Sequence, residues 1–370
     1  MKTQSSLLRI TVFLLLIILF IYGIIMARNF LYPIAFGALF CYLLYPLVNF
    51  LEKNKIPRIL AILIGILLAL AVIGGIFLLF YQQLSNMFED IESLKQSANE
   101  NIESLQTNLE NFLGLEDDRV EQFLKNEVNQ IFRSANINRI FSATTGTIAR
   151  IIILPVYVFL FLFYRTKFAY FILKMVKREN KKVAINILRD ISTVAARYMG
   201  GVFIVVLILC IINSSGLLII GVEYAILLGI VSAFFNFIPY FGTLMGGSIP
   251  FLFVLLTTDS PLHFGLRVAI LFVIVQFTEN NILTPNIVGG NVKINPFFII
   301  VGLVAGAMIW GIPGMLLIVP FMAIARIIFI NIESMKPYAF LLGPRGTQKH
   351  SLKLKNISSI FNWVKNKVGD

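Results

Sequence analysis

The chain alternates long apolar stretches with short polar segments. Six uninterrupted stretches are close to the roughly 20 residues that a helix needs to cross a bilayer, and two longer ones are interrupted by proline and glycine. The six are residues 7–27, 30–51, 59–81, 147–164, 200–222 and 264–283, and the interrupted two are residues 224–256 and 296–330. The pattern predicts an all-α, polytopic helical membrane protein. We expect about eight transmembrane segments, two of them broken or re-entrant, and the composition of 58% hydrophobic and 14% charged residues agrees.

Charged residues divide the chain and predict its orientation. Lys and Arg gather at residues 165–197 and 336–370, whereas residues 82–146 carry eleven of the nineteen Asp and Glu residues. Because cytoplasmic loops are rich in Lys and Arg, we expect both termini in the cytoplasm. The predicted parts are three N-terminal transmembrane helices (1–81), an acidic extracytoplasmic helical insert (82–146), a transmembrane transport core with a basic cytoplasmic loop at 165–197 (147–335), and a basic cytoplasmic tail (336–370). The net charge of +12 follows from this bias and gives no reason to expect nucleic acid.

The acidic insert has a narrow apolar stripe. Two helices divided near Gly114 are predicted there, and apolar residues recur along the first at steps of three and four. They are Leu84, Met87, Ile91, Leu94, Ala98, Ile102, Leu105, Leu109 and Phe112. A lone helix cannot bury such a stripe. Either it packs within a helical hairpin of the insert, or it joins protomers, and in the second case the protein is a homo-oligomer.

The two interrupted stretches are too long for one straight crossing. Residues 224–256 would form a helix of about 50 Å, against a hydrocarbon core of about 30 Å. The breaks contain Asn236, Pro239, Gly242 and Pro250 in the first stretch, and Gly311, Pro313 and Gly314 in the second. Each stretch is either one kinked, tilted crossing or a re-entrant hairpin of two half-helices. Hairpins whose tips meet near the midplane form the solute site of several transporters, whereas kinks and close packing explain the same residues without transport.

One acidic residue, Glu279, lies within the apolar stretch 264–283, which separates the interrupted stretches. On an α-helix Gln276, Glu279 and Asn280 share a face. Pro285 ends that helix, and Thr284 can satisfy the carbonyl groups that it frees. A carboxyl at membrane depth is costly and usually faces a cavity, a partner or a transported ion. Glu279 therefore either binds a proton, cation or solute, or it is an interfacial residue paired with Lys293 or another base.

The chain lacks the motifs of several other functions. No Gly-Lys-Ser or Gly-Lys-Thr P-loop is present, so transport has to be driven by a gradient. Cys41 and Cys210 lie inside apolar stretches, and His263 and His350 are far apart, so we expect no disulfide, metal or cofactor. A hydrolytic pair of Ser248 and His263 matches no supported motif, and we expect no enzyme activity.

Three motifs follow one another in the second half of the chain. They are Ile-Pro-Tyr-Phe-Gly at 238–242 with Gly-Gly-Ser-Ile-Pro at 246–250, Glu-Asn-Asn-Ile-Leu-Thr-Pro-Asn-Ile-Val-Gly at 279–289, and Gly-Ile-Pro-Gly at 311–314 with Pro320. In this order, and after three helices and an insert, they resemble the autoinducer-2 exporter (AI-2E) family of permeases. The resemblance implies a prokaryotic inner-membrane transporter associated with export of the quorum-sensing signal autoinducer-2 or with sodium/proton antiport. The family positions carried over are Pro239, Gly242, Pro250, Glu279, Asn280, Thr284, Pro285, Gly311, Pro313 and Gly314.

We therefore expect a secondary transporter that moves a small polar, autoinducer-2-like solute outward across the cytoplasmic membrane. Sodium/proton antiport is the first alternative, and a membrane scaffold or sensor without transport is the second. The expected partners are membrane lipid and a small polar solute, a monovalent cation or a proton. Glu279 is the coupling or anchoring group, and Gln276, Asn280, Asn236 and Thr284 supply hydrogen bonds. The prolines and glycines of the breaks line the path: Pro239, Gly242, Pro250, Pro285, Gly311, Pro313 and Gly314.

Overall fold

The structure is a computed structural model of the chain, and it describes residues 2–113, 125–126, 130, 137–288 and 294–344. All regular secondary structure in these ranges is helical. In this part of the chain seven helices are long and apolar enough to cross a membrane, and three shorter apolar helices accompany them. The prediction of an all-α polytopic membrane protein is confirmed. Most of the second predicted helix of the insert, Lys293 and the tail beyond residue 344 lie outside the described residues.

The helices follow one another with short connections. In chain order they are α1 (Lys2–Met26), α2 (Arg28–Lys53), α3 (Arg58–Glu89), α4 (Ile91–Leu113), α5 (Ile137–Met175), α6 (Lys181–Ile220), α7 (Ala225–Phe235), α8 (Phe241–Thr257), α9 (Pro261–Thr278), α10 (Pro296–Trp310), α11 (Ile312–Asn331) and α12 (Lys336–Leu342). Helix α9 continues without interruption into a π-helix, Glu279–Val288.

Proline, glycine and asparagine set several helix boundaries. Pro261 and Pro296 begin α9 and α10, where a missing N–H group is tolerated because it has no partner within the helix. Asn295 Oδ1 accepts a hydrogen bond from Phe297 N and caps α10. Gly221 ends α6 in the left-handed conformation, with φ 88°, which glycine adopts without steric cost. This turn reverses the chain, so that α7 returns along α6.

Helices α2, α3 and α5 pack around one apolar cluster, which includes Val48, Ile62 and Leu162. At one end of this cluster Glu52 forms ion pairs with Arg58, at 3.3 Å, and with Arg165. The ion pairs join the last turn of α2 to the start of α3 and to α5. They mark the polar end of three apolar helices, and this is the end that the Lys and Arg bias predicts to be cytoplasmic.

The first interrupted stretch is a hairpin of two antiparallel helices, α7 and α8. A Cβ atom on Gly246 of α8 would lie 3.0 Å from Ser232 O of α7, and one on Gly242 would lie 2.5 Å from Asn236 Cα. The 11 residues of α7 extend about 16 Å, roughly half of the hydrocarbon core. Helix α7 is therefore too short to cross, and the stretch is a re-entrant hairpin rather than one kinked crossing.

The second interrupted stretch, α10 and α11, is also an antiparallel hairpin. A Cβ atom on Gly306 would lie 2.7 Å from Gly314 O, so the two backbones touch next to the turn at Gly311. This turn lies beside the C-terminal end of α1, where Trp310 Nε1 donates a hydrogen bond to Ile24 O at 3.1 Å. Helix α11 has 20 residues, about 30 Å, so it is long enough to cross the membrane.

The helix of the acidic insert, α4, packs on the base of the first hairpin. Ala98 and Ile102 are buried with Leu256 packed against them. Asn101 Nδ2 donates hydrogen bonds to Leu256 O at 2.9 Å and to Thr258 O at 3.0 Å. Part of the predicted stripe is thus covered by the membrane core of its own chain, an arrangement not considered from the sequence. A seam between protomers stays a prediction for the rest of the insert.

Candidate solute and ion path

The packing of α9 against α6 gives the depth of Glu279. Helix α9 runs antiparallel to α6, and Leu271 packs onto Gly216, where a Cβ atom would lie 2.6 Å from Leu271 Cδ1. Eight residues of helix, about 12 Å, separate Leu271 from Glu279. The carboxyl group is therefore level with Ile208 of α6. This position lies well inside the apolar stretch 200–222, where a charged group requires protein or water around it.

The turn of the first hairpin reaches the same depth. Helix α7 lies so close to α6 that a Cβ atom on Gly229 would be 2.6 Å from Ser214 Cα. Six further residues of α7, about 9 Å, bring its end level with Ile208, and the turn at 236–240 follows directly. Phe237 of this turn packs against the buried cluster that contains Val275, one helical turn before the carboxyl. The turn and the carboxyl thus belong to one layer of the structure.

Glu279 is buried and hydrogen-bonded. Its side chain is 9% exposed, and Gln276 Nε2 donates to Glu279 Oε2 at 2.9 Å. Among the described residues no ion pair to Glu279 is found, and Lys293, the base considered from the sequence, lies outside them. The carboxyl therefore retains oxygen lone pairs for a proton, a cation or a hydroxyl group.

The backbone around Glu279 does not keep Gln276, Glu279 and Asn280 on the one helix face that the sequence predicts. From Glu279 onward the chain winds as a π-helix, and π-helical turns inside α-helices are frequent at functional sites. Gln276 and Glu279 meet as their spacing predicts, but Asn280 is exposed and Thr284 is half-buried. The α-helical spacing that placed Asn280 on the same face no longer applies after the change of winding. Pro285 lies exposed within the π-helix and does not end it, contrary to the prediction.

The close approach of α8 to the turn explains two residues of the first break. Gly242 is buried because a Cβ atom there would also lie 2.5 Å from Asn236 Oδ1. Pro250 is fully buried within α8, and Pro239 is half-buried in the turn. The next residue, Tyr240, has φ 64° without being glycine, a strained conformation that often occurs at functional sites.

The second break lies apart from this layer. Gly311 separates α10 from α11 at φ 68°, and Pro313 and Gly314 follow in the first turn of α11. Val319 of α11 belongs to the cluster around the first turn, and Gly311 lies eight residues, about 12 Å, before it in the chain. The structure therefore brings the middle of the second hairpin, not its turn, to the layer of the Glu279 carboxyl.

Two buried polar residues were missed in the sequence. Asn213 of α6 and Ser232 of α7 are each 1% exposed, and Asn213 Nδ2 donates to Ser232 Oγ at 3.2 Å. The pair joins the re-entrant hairpin to α6 at membrane depth. The sequence does contain a signal, the polar run Asn-Ser-Ser at 213–215 inside the apolar stretch 200–222. Small polar residues are also common where membrane helices pack closely, so this run alone does not indicate a buried polar pair.

Re-entrant helices that end beside buried polar groups are typical of the core of secondary transporters. The helical bundle and the layer around Glu279 therefore place the chain in the class of multi-pass membrane proteins with a transporter-like core. Residues 14–334 match the sequence profile of the AI-2E family transporter. Since this match covers most of the chain, the protein belongs to the AI-2E family.

Similar bacterial proteins support a transport role. The chain is 29% identical over 322 residues to "Putative transport protein YueF" of Bacillus subtilis (strain 168), covering 84% of this chain and 86% of the relative. It is 28% identical over 313 residues to "Putative transport protein YrrI" of the same organism, covering 82% and 87%. It is 23% identical over 333 residues to "Putative transport protein YhhT" of Escherichia coli (strain K12), covering 87% and 90%. The family and these relatives support a role as a transporter or permease. The nature of the solute has to be inferred from the residues of the site.

Proposed function

We propose that the protein is a gradient-driven secondary transporter that moves a small polar solute, of the autoinducer-2 type, outward across the cytoplasmic membrane. The observation that carries the proposal is the Glu279 carboxyl, buried at membrane depth and level with the turn of a re-entrant hairpin. A polyhydroxylated solute needs several hydrogen-bonding groups, and Gln276, Asn236 and Asn280 provide amides in or next to this layer. No catalytic residue, metal or cofactor enters the proposed transport step.

The exposed amide of Asn280 supports a polar path beside the carboxyl. Asn280 follows Glu279 directly and is exposed, at a depth where the neighbouring part of α6 is apolar. A polar side chain at this depth does not face lipid without cost, so it faces a water-filled cavity or a protein surface. We infer that the cavity lies between the π-helix and the turn at 236–240, whose polar backbone also needs protein or water around it.

The proposed orientation has both termini in the cytoplasm and residues 82–146 outside. Three crossings lead from the N-terminus to α4, α5 returns, and α6 crosses again to the base of the first hairpin. Because α4 is bonded to this base through Asn101, both have to lie on one side of the membrane. The crossings agree with that requirement, which supports the proposed order of crossings, and the Lys and Arg bias gives the side.

The test is solute flux in proteoliposomes. We expect Glu279→Gln, which removes the charge and keeps the shape, to lower flux at least tenfold and to change its dependence on pH. Glu333→Gln is the matched control, because Glu333 is exposed beyond α11 and pairs with Lys336 in the following turn. Unchanged flux and unchanged pH dependence in Glu279→Gln would remove the carboxyl from the mechanism.

Sodium/proton antiport is a second candidate, favoured by the ionisable carboxyl itself. A neutral solute does not require a carboxylate, whereas exchange of sodium for a proton does require a group that binds both. The same proteoliposomes, loaded with a pH-sensitive dye, distinguish the two functions. A sodium gradient that moves protons without added solute, and that fails to do so in Glu279→Gln, supports antiport.

A further inference from the structure

The connection between α5 and α6 carries an apolar stripe that the described chain does not cover. Helix α5 continues for ten residues beyond Arg165, and Phe168, Phe171, Ile172 and Met175 lie in this extension. Their spacing places them on one face of the helix. Each of these four side chains is between 41% and 73% exposed. A continuous apolar surface of this kind marks a place where another molecule binds.

Basic residues flank the stripe on both sides of the turn between the helices. They are all exposed: Lys167, Lys174, Lys177, Arg178, Lys181 and Lys182. Glu179 is the one acidic residue in the sequence between positions 165 and 182. Lys174 Nζ lies 5.0 Å from the centre of the Tyr170 ring, close enough for a cation–π contact. The partner of this surface therefore has negative charge next to an apolar part.

The stripe begins three residues after Arg165, the first charged residue that follows the uncharged run 151–164 of α5. Arg165 pairs with Glu52 at the polar end of the cluster formed by α2, α3 and α5. We expect apolar side chains immediately beyond such an end, with lysines around them, at the height of the lipid headgroups. Aromatic residues and lysines are the side chains that favour this interface.

We propose that residues 165–182, which we call the elbow, bind anionic phospholipid headgroups, with the apolar stripe inserted at the boundary of the acyl chains. A second copy of the elbow is a poor partner because six like charges would face six like charges. Zwitterionic lipid would leave the basic groups without counter-charges, so the stripe would insert less into the acyl chains. The proposal is independent of the transported solute and of the role of Glu279.

The test places a fluorescent label on the stripe of the full chain in lipid nanodiscs. Phe171→Cys carries the label, with Cys41 and Cys210 replaced by alanine, and lipids brominated in their acyl chains quench it. We expect quenching to rise when phosphatidylglycerol is added to phosphatidylcholine, and to fall again at high salt. Lys174→Gln with Lys177→Gln should weaken the effect of phosphatidylglycerol about 30-fold in apparent affinity.

A pair of lysines outside the elbow gives the matched control. Lys53 and Lys55 lie exposed at the end of α2 on the same predicted side, and their replacement by glutamine should leave the response to phosphatidylglycerol unchanged. Equal quenching with and without phosphatidylglycerol overturns the proposal, as does an equal loss in the control. A label that is shielded from water, escapes lipid quenching and cross-links to a second copy shows a protein interface instead.

Discussion

The contact between two glycine backbones at the second hairpin gives a strict test of the fold. A Cβ atom on Gly314 would lie 2.7 Å from the carbonyl carbon of Gly306, and it would be closer still to Gly306 O. Ordinary carbon contacts begin near 3.5 Å. An alanine at position 314 therefore requires α10 and α11 to separate by roughly 1 Å beside a turn that allows little movement.

The expected cost follows from two opposing effects. Overpacking of this kind costs about 1–3 kcal/mol, and the upper end applies here because the obstructing atoms belong to a backbone that cannot rotate away. Alanine is favoured over glycine within a helix by about 1 kcal/mol. The net result for Gly314→Ala is a loss of about 2 kcal/mol in the free energy of unfolding.

Gly74→Ala is the matched control. Gly74 lies inside α3, and nothing is found within 4 Å of the position that its Cβ atom would take. The same substitution should therefore stabilise α3 by up to about 1 kcal/mol. The two variants differ by one methyl group each from the parent chain, and their unfolding free energies should differ by about 3 kcal/mol.

Thermal unfolding in one detergent measures the difference. Cys41 and Cys210 are both free and partly buried, so a thiol-reactive dye reports their exposure as the bundle opens. We expect Gly314→Ala to melt below the parent chain and Gly74→Ala at or above it. If Gly314→Ala has the same melting temperature as Gly74→Ala, α10 and α11 do not touch at this point and the antiparallel hairpin is wrong.

Two further substitutions test other contacts in the same way. Asn101→Ala removes two hydrogen bonds from α4 to the base of the first hairpin and should lower the free energy of unfolding by about 1–3 kcal/mol in the same melting assay. Its control, Ser104→Ala, removes a hydrogen bond within α4 alone and should cost little, so equal effects of the two variants would contradict the packing of α4 on the hairpin. Gly201→Ala places a methyl group 2.8 Å from the backbone of the π-helix and should lower both stability and flux, whereas Gly200→Ala meets nothing within 4 Å and should leave flux unchanged.

The local features of the fold were visible in the sequence. Apolar stretches and charge bias predict the helices, and the breaks near Pro239 and Gly311 are visible because proline and glycine interrupt regular winding. The pairing of Gln276 with Glu279 follows from helical spacing. Each of these inferences depends on residues that are close together in the chain.

The packing of helices that are distant in the chain could not be predicted from the sequence. An apolar pattern shows which face of a helix is buried, but not which other helix covers that face. The stripe on α4 predicted burial, but only the structure shows Leu256 against Ile102. The turns at 236–240 and 311–314 both contain an Ile-Pro pair but lie in different places. The first packs against the cluster that contains Val275, and the second lies beside the C-terminal end of α1. The π-helix after Glu279 likewise packs against a distant element, since a Cβ atom on Gly201 of α6 would lie 2.8 Å from Val288 Cα.

The first hairpin is held at both ends, and this links the insert to the proposed path. Its turn packs against α9 through Phe237, and its base is bonded to α4 through Asn101. A third hydrogen bond, from Tyr224 OH to Asp90 Oδ2 at 2.5 Å, joins the start of α7 to the end of α3. A short re-entrant helix pair has no crossing of its own to fix it, so these contacts determine where its turn lies. The acidic insert therefore helps to position the first hairpin, and a chain without it should misplace the turn beside Glu279 and with it the proposed path.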